Sequence, residues 1–255
     1  MRNNRLTTKD KWENVWTGIK LPHIQNPVYD IKNQLNTYLP KSDAFSLIEI
    51  GCAPGGWMAY FNKQFGYRVS GIEYAEAAAA TTILNMEILG LDKEVIVQDF
   101  FTFEAPSKYD IVFSSGFIEH FKDSQSVVEK ICHLSRRYVI TIVPNCYGIN
   151  GFISRTIRPV VFNQHIAIDI KTLNLIHTNC GIKTLFCDYV GGVRLILPGQ
   201  KNNFFTKHKH IARIVNSPVQ VFNLFFLEIG RLVGFYPRTR LFSNSIIYIG
   251  LKDEN

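Results

Sequence analysis

Between residues 45 and 190, short runs rich in Ile, Val, Phe and Tyr alternate with longer stretches of helix formers. This alternation constrains the fold more than any other feature of the chain. The apolar runs are FSLIEI (45–50), YRVSGIE (67–73), EVIVQD (94–99), YDIVFSS (109–115), RYVITIV (137–143) and KTLFCDYV (183–190). Between them lie WMAYFNKQF, EAAAATTILNMEILG and SQSVVEKICHLS, with apolar residues at three-to-four spacing, which read as crossover helices. Strands joined by helices form a mostly parallel sheet with both faces covered, so the expected class is α/β, a Rossmann-like doubly wound sheet. A seventh run, SIIYIGL (245–251), comes much later.

Two regions fall outside the alternation, and they divide the chain into residues 1–44, 45–192, 193–244 and 245–255. The first, with Trp12, Trp16 and the helical VYDIKNQLNTYL, is expected to lead in with a helix that packs over the sheet. In 193–244, Ser217 and Pro218 resemble an N-cap and first-turn pair for a helix running to about Val233. Gln220, Asn223, Glu228 and Arg231 share one arc of that helix, leaving Val, Phe, Leu and Ile over the rest. The stretch free of charge, Ile214 to Leu227, is 14 residues, too short for a membrane span of about 20. Its apolar face is therefore expected to pack on the protein's own sheet, with an interfacial membrane helix as the alternative.

Charge follows the same division. The net value is +7, yet residues 1–192 hold 19 Lys+Arg against 18 Asp+Glu, whereas residues 193–255 hold 9 against 3. An anionic partner, or contact with a membrane or a lipid-linked substrate, is expected at 193–244 rather than elsewhere. The five cysteines, Cys52, Cys132, Cys146, Cys180 and Cys187, are scattered without a CxxC pair, which indicates neither a disulfide framework nor a zinc site. With no signal-like apolar run in the first twenty residues, a cytoplasmic location is expected.

The strongest local signal is LIEIGCAPGGW (47–57), a strand ending near Glu49, a glycine-rich turn through Gly51, Cys52, Ala53 and Gly55, then a helix. Such a turn lets backbone approach a ligand, and alone it would suit a nucleotide phosphate equally well. Its context is more specific. The second strand ends in Glu73, two dozen residues after Glu49, placed to accept hydrogen bonds from a ribose diol, with Tyr74 next to it. The third ends at Asp99 beside Phe100, an acceptor for an amine beside a flat apolar face.

On these residues the chain resembles the class I S-adenosylmethionine-dependent methyltransferases from about Phe45 to Val190, with SIIYIGL matching their seventh, reversed strand. EIGCAPGG is similar to that family's acidic-x-Gly-x-Gly-x-Gly turn, with Ala53 in place of the middle glycine. The resemblance implies S-adenosyl-L-methionine as cofactor. Glu73 would then hold the ribose, Asp99 the adenine amine and Phe100 an adenine face, with the Gly51 to Gly55 turn along the methionine portion. YDIVFSSGFIEHFKD is similar to the branch that methylates small molecules, including ubiquinone-biosynthesis O-methyltransferases and glycan-modifying enzymes. By that resemblance Ser114 and Ser115 border the methionine end, Glu119 and His120 begin the next helix facing the methyl group, and His165 is the matching histidine after the fifth strand.

Methyl transfer to an alcohol needs a base near the acceptor hydroxyl, and His120, oriented by Glu119 and His165, is the candidate. Some relatives hold a divalent metal with an ExxEH run. Here the run is Gly116, Phe117, Ile118, Glu119, His120, which lacks the first glutamate, so no metal is expected. The expected acceptor is a small molecule or a saccharide-related compound, in a pocket that the resemblance would build from the N-terminal segment and from 193–244 as a helical acceptor cap. Two other functions stand beside it. An RNA 2′-O-methyltransferase is suggested by APGGW, the basic residues and Lys32, but strand five has no lysine to activate a ribose, so a nucleic-acid substrate is disfavoured. A scaffold that has kept the fold and lost catalysis is the other.

Overall fold

The computed structural model describes residues 4–16, 18–195 and 209–253; Lys201, Phe204, Phe205 and Lys207 lie outside the described residues. Seven strands form one sheet: β1 (Ser46–Ile50), β2 (Arg68–Glu73), β3 (Val95–Val97), β4 (Tyr109–Ser115), β5 (Ser135–Pro144), β6 (Ile182–Val190) and β7 (Ser245–Lys252). Their order is β3-β2-β1-β4-β5-β7-β6. The pairs β1 with β2, β1 with β4, β2 with β3 and β4 with β5 are parallel. Only β7 is reversed, and it pairs antiparallel to β5 and to β6.

The near-continuous apolar character of the central strands follows from burial on both faces. On β4, Ile111 and Phe113 face one layer while Val112 faces the other. Ile111 and Phe113 pack with Leu35 of α2 (Tyr29–Tyr38) and Met58 and Phe61 of α3 (Gly56–Phe65). Val112 packs with Val127 and Ile131 of α5 (Ser124–Leu134) and Leu173 of α8 (Ile170–Thr178). Each fully buried side chain of this kind contributes roughly 1.5–3 kcal/mol of transfer free energy. Asp123 and Asp169 cap α5 and α8 by accepting the Ser126 and Thr172 amides at 3.2 and 2.8 Å.

The lead-in region splits. α2 packs over the sheet as expected, whereas α1 (Lys9–Val15) lies across the strand ends against α4 (Glu76–Ile88). Glu13 accepts the first-turn amides of Glu76 and Ala77 at 2.9 and 2.6 Å, so a carboxylate meets the positive end of α4.

Two expectations are corrected. Glu119 and His120 do not begin α5; they sit on a single 3₁₀ turn, Ile118–His120, before it, because Asp123 is the residue that caps the helix. The helix expected from Ser217 starts earlier, at Lys209, and runs to Val233 as α9 with Pro218 inside it. The lost N–H at Pro218 costs about 3 kcal/mol in a helix interior. Apolar periodicity on both sides carries the helix through. Its apolar residues do not pack on the sheet: Val221, Leu224, Phe225 and Leu232 are exposed, Leu232 to 84%. Packing inward is instead supplied by α2 and α3, which already cover that sheet face.

Candidate active site

A cavity of about 320 Å³ opens at the carboxyl ends of β1, β2 and β4. This is where strand order reverses on either side of β1, the usual crevice for a ligand in a doubly wound sheet. Its floor is the glycine turn. Gly51 and Gly55 have φ of 73° and 84°, and a Cβ on them would lie 3.0 Å from the Phe117 ring and 2.9 Å from Thr82 Cγ2. Glycine is required there for both conformation and space. α3 begins at this turn without a capping side chain of its own, and Glu49 from β1 takes that part, accepting the Met58 amide at 3.2 Å.

Two buried carboxylates face the cavity, Glu49 and Glu73. Burial drives both pKa values up, Glu49 well above the ordinary carboxylate range with Glu73 adding to the repulsion. At Glu73 the backbone amides of Ala75, Tyr74 and Ala53 pull against burial, the first with a bond of 3.0 Å. Phe100 and Trp57 supply flat apolar walls, and Ser115 and His120 close the β4 end.

The cavity lining gathers Glu49, Gly51, Ala53, Glu73, Tyr74, Phe100, Ser115 and His120 of the expected residues. It leaves out Cys52, Gly55, Asp99, Ser114, Glu119 and His165. Cys52 is 1% exposed and packs under the turn, where its Sγ would collide with any Cβ on Gly71, so it is a core residue. Strand alternation places Ser114 opposite to Ser115, buried, with an Oγ that has no hydrogen-bond partner. Asp99 is turned away to Arg5, which forms an ion pair with its Oδ1, and the Phe101 amide bonds the same oxygen at 2.9 Å. Lys32 borders a different groove, beside Gly191 and Asn223, rather than this cavity.

Of the two segments expected at the acceptor pocket, the N-terminal one lies at the cavity, and no described residue of 193–244 lines it. Arg5, Thr7, Trp12, Trp16, His23 and Gln25 all reach over the cavity from the N-terminal segment. The segment is fastened by backbone bonds from Leu6 to His120 and from Lys122 to Asn4, both 2.8 Å, and by Asn85, which bonds both the amide and the carbonyl of His23. Arg5 also lies 4.6 Å over the Tyr74 ring. Only Trp12 and Trp16 carried a sequence signal, as isolated large aromatics before the sheet.

At the β4 end Glu119, His120 and His165 converge, with their ligand atoms all within 4.8 Å of one another. His120 Nδ1 donates to the Gln164 carbonyl and His165 Nδ1 to the Val161 carbonyl, each at 2.8 Å, which leaves both Nε2 atoms as acceptors. Burial pushes Glu119 up to about 8, opposed by the Lys11 ammonium, and leaves its Oε2 without a partner. Burial also pushes His120 down to about 3, with His165 and Lys11 adding to the effect. At neutral pH the cluster therefore holds one carboxylic proton and two neutral imidazoles. Such a set can take a proton from a nearby hydroxyl, or bind a small divalent cation once Glu119 ionises.

The sequence pattern of the family described as "Methyltransferase domain" matches residues 47–137. Among solved structures, the chain superposes on a putative methyltransferase from Haloferax volcanii, solved with the Trm112 methyltransferase activator, with a TM-score of 0.60. Identity is 13%, over 95% of this chain and 96% of that one. The fold is that of the class I methyltransferases. A geranyl diphosphate C-methyltransferase from Streptomyces coelicolor A3(2), in complex with Mg²⁺, geranyl diphosphate and S-adenosyl-L-homocysteine, has the same methyltransferase fold. It gives a TM-score of 0.58 at 14% identity, over 96% of each chain. A curated relative, the probable (S)-tetrahydroprotoberberine N-methyltransferase 2 of Papaver bracteatum, is 28% identical over 91 residues, or 35% of this chain. The match spans only 25% of that relative's length.

Proposed function

We propose that this chain is an S-adenosylmethionine-dependent methyltransferase that methylates a small molecule, most specifically a hydroxyl of a saccharide-related acceptor. The observation that carries the reading is Glu73: a buried carboxylate at the end of β2, facing a cavity at the switch point beside the positive-φ turn of Gly51 and Gly55. That arrangement suits a ribose diol beside a close-approaching backbone.

The cofactor, when bound, supplies an electrophilic methyl carbon on a sulfonium sulfur. Glu73 would accept the ribose hydroxyls, Phe100 and Trp57 would border the flat base, and the Gly51 turn and Ser115 would flank the methionine end. Asp99 would act on the adenine amine only alongside Arg5, which already holds one of its oxygens. With Trp12 and Trp16 covering part of the cavity, the remaining task is alignment and removal of one proton. His120 Nε2 takes that proton. Its Nδ1–H is fixed on the Gln164 carbonyl, which leaves Nε2 as the accepting nitrogen, and Glu119 and His165 lie beside it.

Calorimetry tests the reading. Glu73→Ala should weaken binding of S-adenosylmethionine by roughly 1.5–3 kcal/mol, as for a charge-assisted hydrogen bond removed; equal affinity in the variant overturns the assignment of the cavity. A divalent cation on Glu119, His120 and His165 is the second reading, favoured by their 4.8 Å spread. Turnover that survives exhaustive chelation eliminates it.

A further inference from the structure

On α9, Gln220, Asn223, Glu228 and Arg231, with Leu224, Phe226 and Leu227, line the groove of about 880 Å³ between the helix and the body of the protein. Asn223 holds the helix there, donating to the Leu195 carbonyl and accepting the Leu195 amide, each at 2.8 Å. Gly230 packs so closely on Tyr236 that a Cβ would fall 2.5 Å from the ring. The outward side carries Val221, Phe225, Leu232 and Val233, with Phe235 just beyond, and all five are exposed.

Two further helices, α6 (Ile149–Ile157) and α7 (Pro159–Phe162), also carry exposed apolar side chains. Asn150 donates to the Arg194 carbonyl at 2.7 Å and the Ile149 amide to the Leu241 carbonyl at 2.8 Å, so the start of α6 adjoins the segments that flank α9. Phe152 and Val160 on these helices are 68% and 73% exposed. Charge is one-sided throughout. Residues 144–168 contain no acidic residue, and 193–244 contain only Glu228, against Arg155 and Arg158 in the first stretch and eight Lys and Arg in the second. That one acid lines the groove and is itself exposed. Arg155, Arg158, Arg194 and Arg240 are exposed.

We infer that α9, together with α6 and α7, is a docking face for an anionic membrane surface. Exposed aromatic and aliphatic side chains flanked by arginines suit the boundary between acyl chains and negatively charged headgroups. A second copy of the chain fits poorly, because a self-complementary contact would set arginines against arginines. None of the described helices is long and apolar enough to cross a membrane, so the contact is one of lying on the surface. The second cavity, about 190 Å³, is lined by Ile153, Ser154, Arg158 and Phe162 of these same helices and by His165. Through α6 and α7 the proposed surface reaches His165, although the docking itself does not depend on the methyltransferase reading.

Co-sedimentation of the full chain with vesicles tests the inference without any activity measurement. Binding to phosphatidylcholine vesicles with about one part in three phosphatidylglycerol should exceed binding to pure phosphatidylcholine at least tenfold, and should fall when salt is raised. Phe225→Asp with Leu232→Asp should lower it at least tenfold. Both side chains are exposed, and unchanged circular dichroism and melting temperature would show that the variant still folds. Equal binding by the variant overturns the proposal, as does no binding to the anionic vesicles. A chain that sediments as a dimer, becomes monomeric on the double substitution and ignores vesicles assigns the face to a second copy instead.

Discussion

The turn at 47–57 and helix α9 are both strongly apolar, yet they sit at opposite ends of burial. In the first, Leu47, Ile48 and Ile50 are fully buried and Met58 follows on the next helix, while Glu49 is spent on capping that helix and facing the cavity. In the second, Phe225 and Leu232 face out and Asn223 faces in. Apolar content alone therefore does not say where a segment goes. Polar partners matter as well: Asn223 bonds both backbone groups of Leu195, which ties that side of the helix to the body of the protein.

The largest expected effect would sharpen the contrast on the cavity side. His120→Ala should lower turnover by about 10² to 10⁴ while S-adenosylmethionine affinity stays near that of the native chain. Equal loss of both in steady-state and binding measurements would make His120 a prop for the 3₁₀ turn. Next, Phe113→Ala should cost about 3–5 kcal/mol in denaturant unfolding, since Phe113 is fully buried against Trp57 and Phe61 at ring distances of 5.0 and 4.9 Å.

A pH series separates the two regions further. Folded Glu119 keeps its proton up to about 8, whereas the unfolded chain releases it near 4.5. More protons are bound in the folded state across that window, so Glu119 should lower stability progressively from about pH 4.5 to about 8. Glu119→Gln should remove that slope, and melting temperatures compared at low and high pH would show it; an unchanged slope would mean the carboxyl is not buried as described. His120 acts at the acid end, where stability falls as pH drops from 6.5 towards about 3. The smallest effect belongs to α9. Leu232→Ser, at an 84% exposed position, should change unfolding free energy by no more than about 0.5 kcal/mol. A larger loss in the same unfolding assay would show that α9 is covered by something in solution.

Much of the fold was legible in the chain. Each apolar run became a strand, and the turn at Gly51 to Gly55 formed where glycine spacing put it, because periodicity and left-handed conformation are local properties. The site was legible in part. Glu73 reached the cavity because a strand end fixes its direction, and Phe100 and His120 reached it from the turns that follow β3 and β4, but Ser114 did not, since one residue along a strand reverses the side chain. Arg5, His23 and the pairing of Asp99 with Arg5 join residues up to 94 positions apart, which no local pattern encodes.

The sequence by itself determined the alternation of strands and helices, the reversed final run by its resemblance, and the carboxylates at the ends of β1 and β2. Only the tertiary structure decided which N-terminal side chains roof the cavity, that Asp99 is turned to Arg5, and that α9 shows apolar side chains to solvent. The physical reason is that hydrophobic patterning states how much surface must leave water, whereas the choice of neighbour depends on which distant polar groups can be satisfied at the same time.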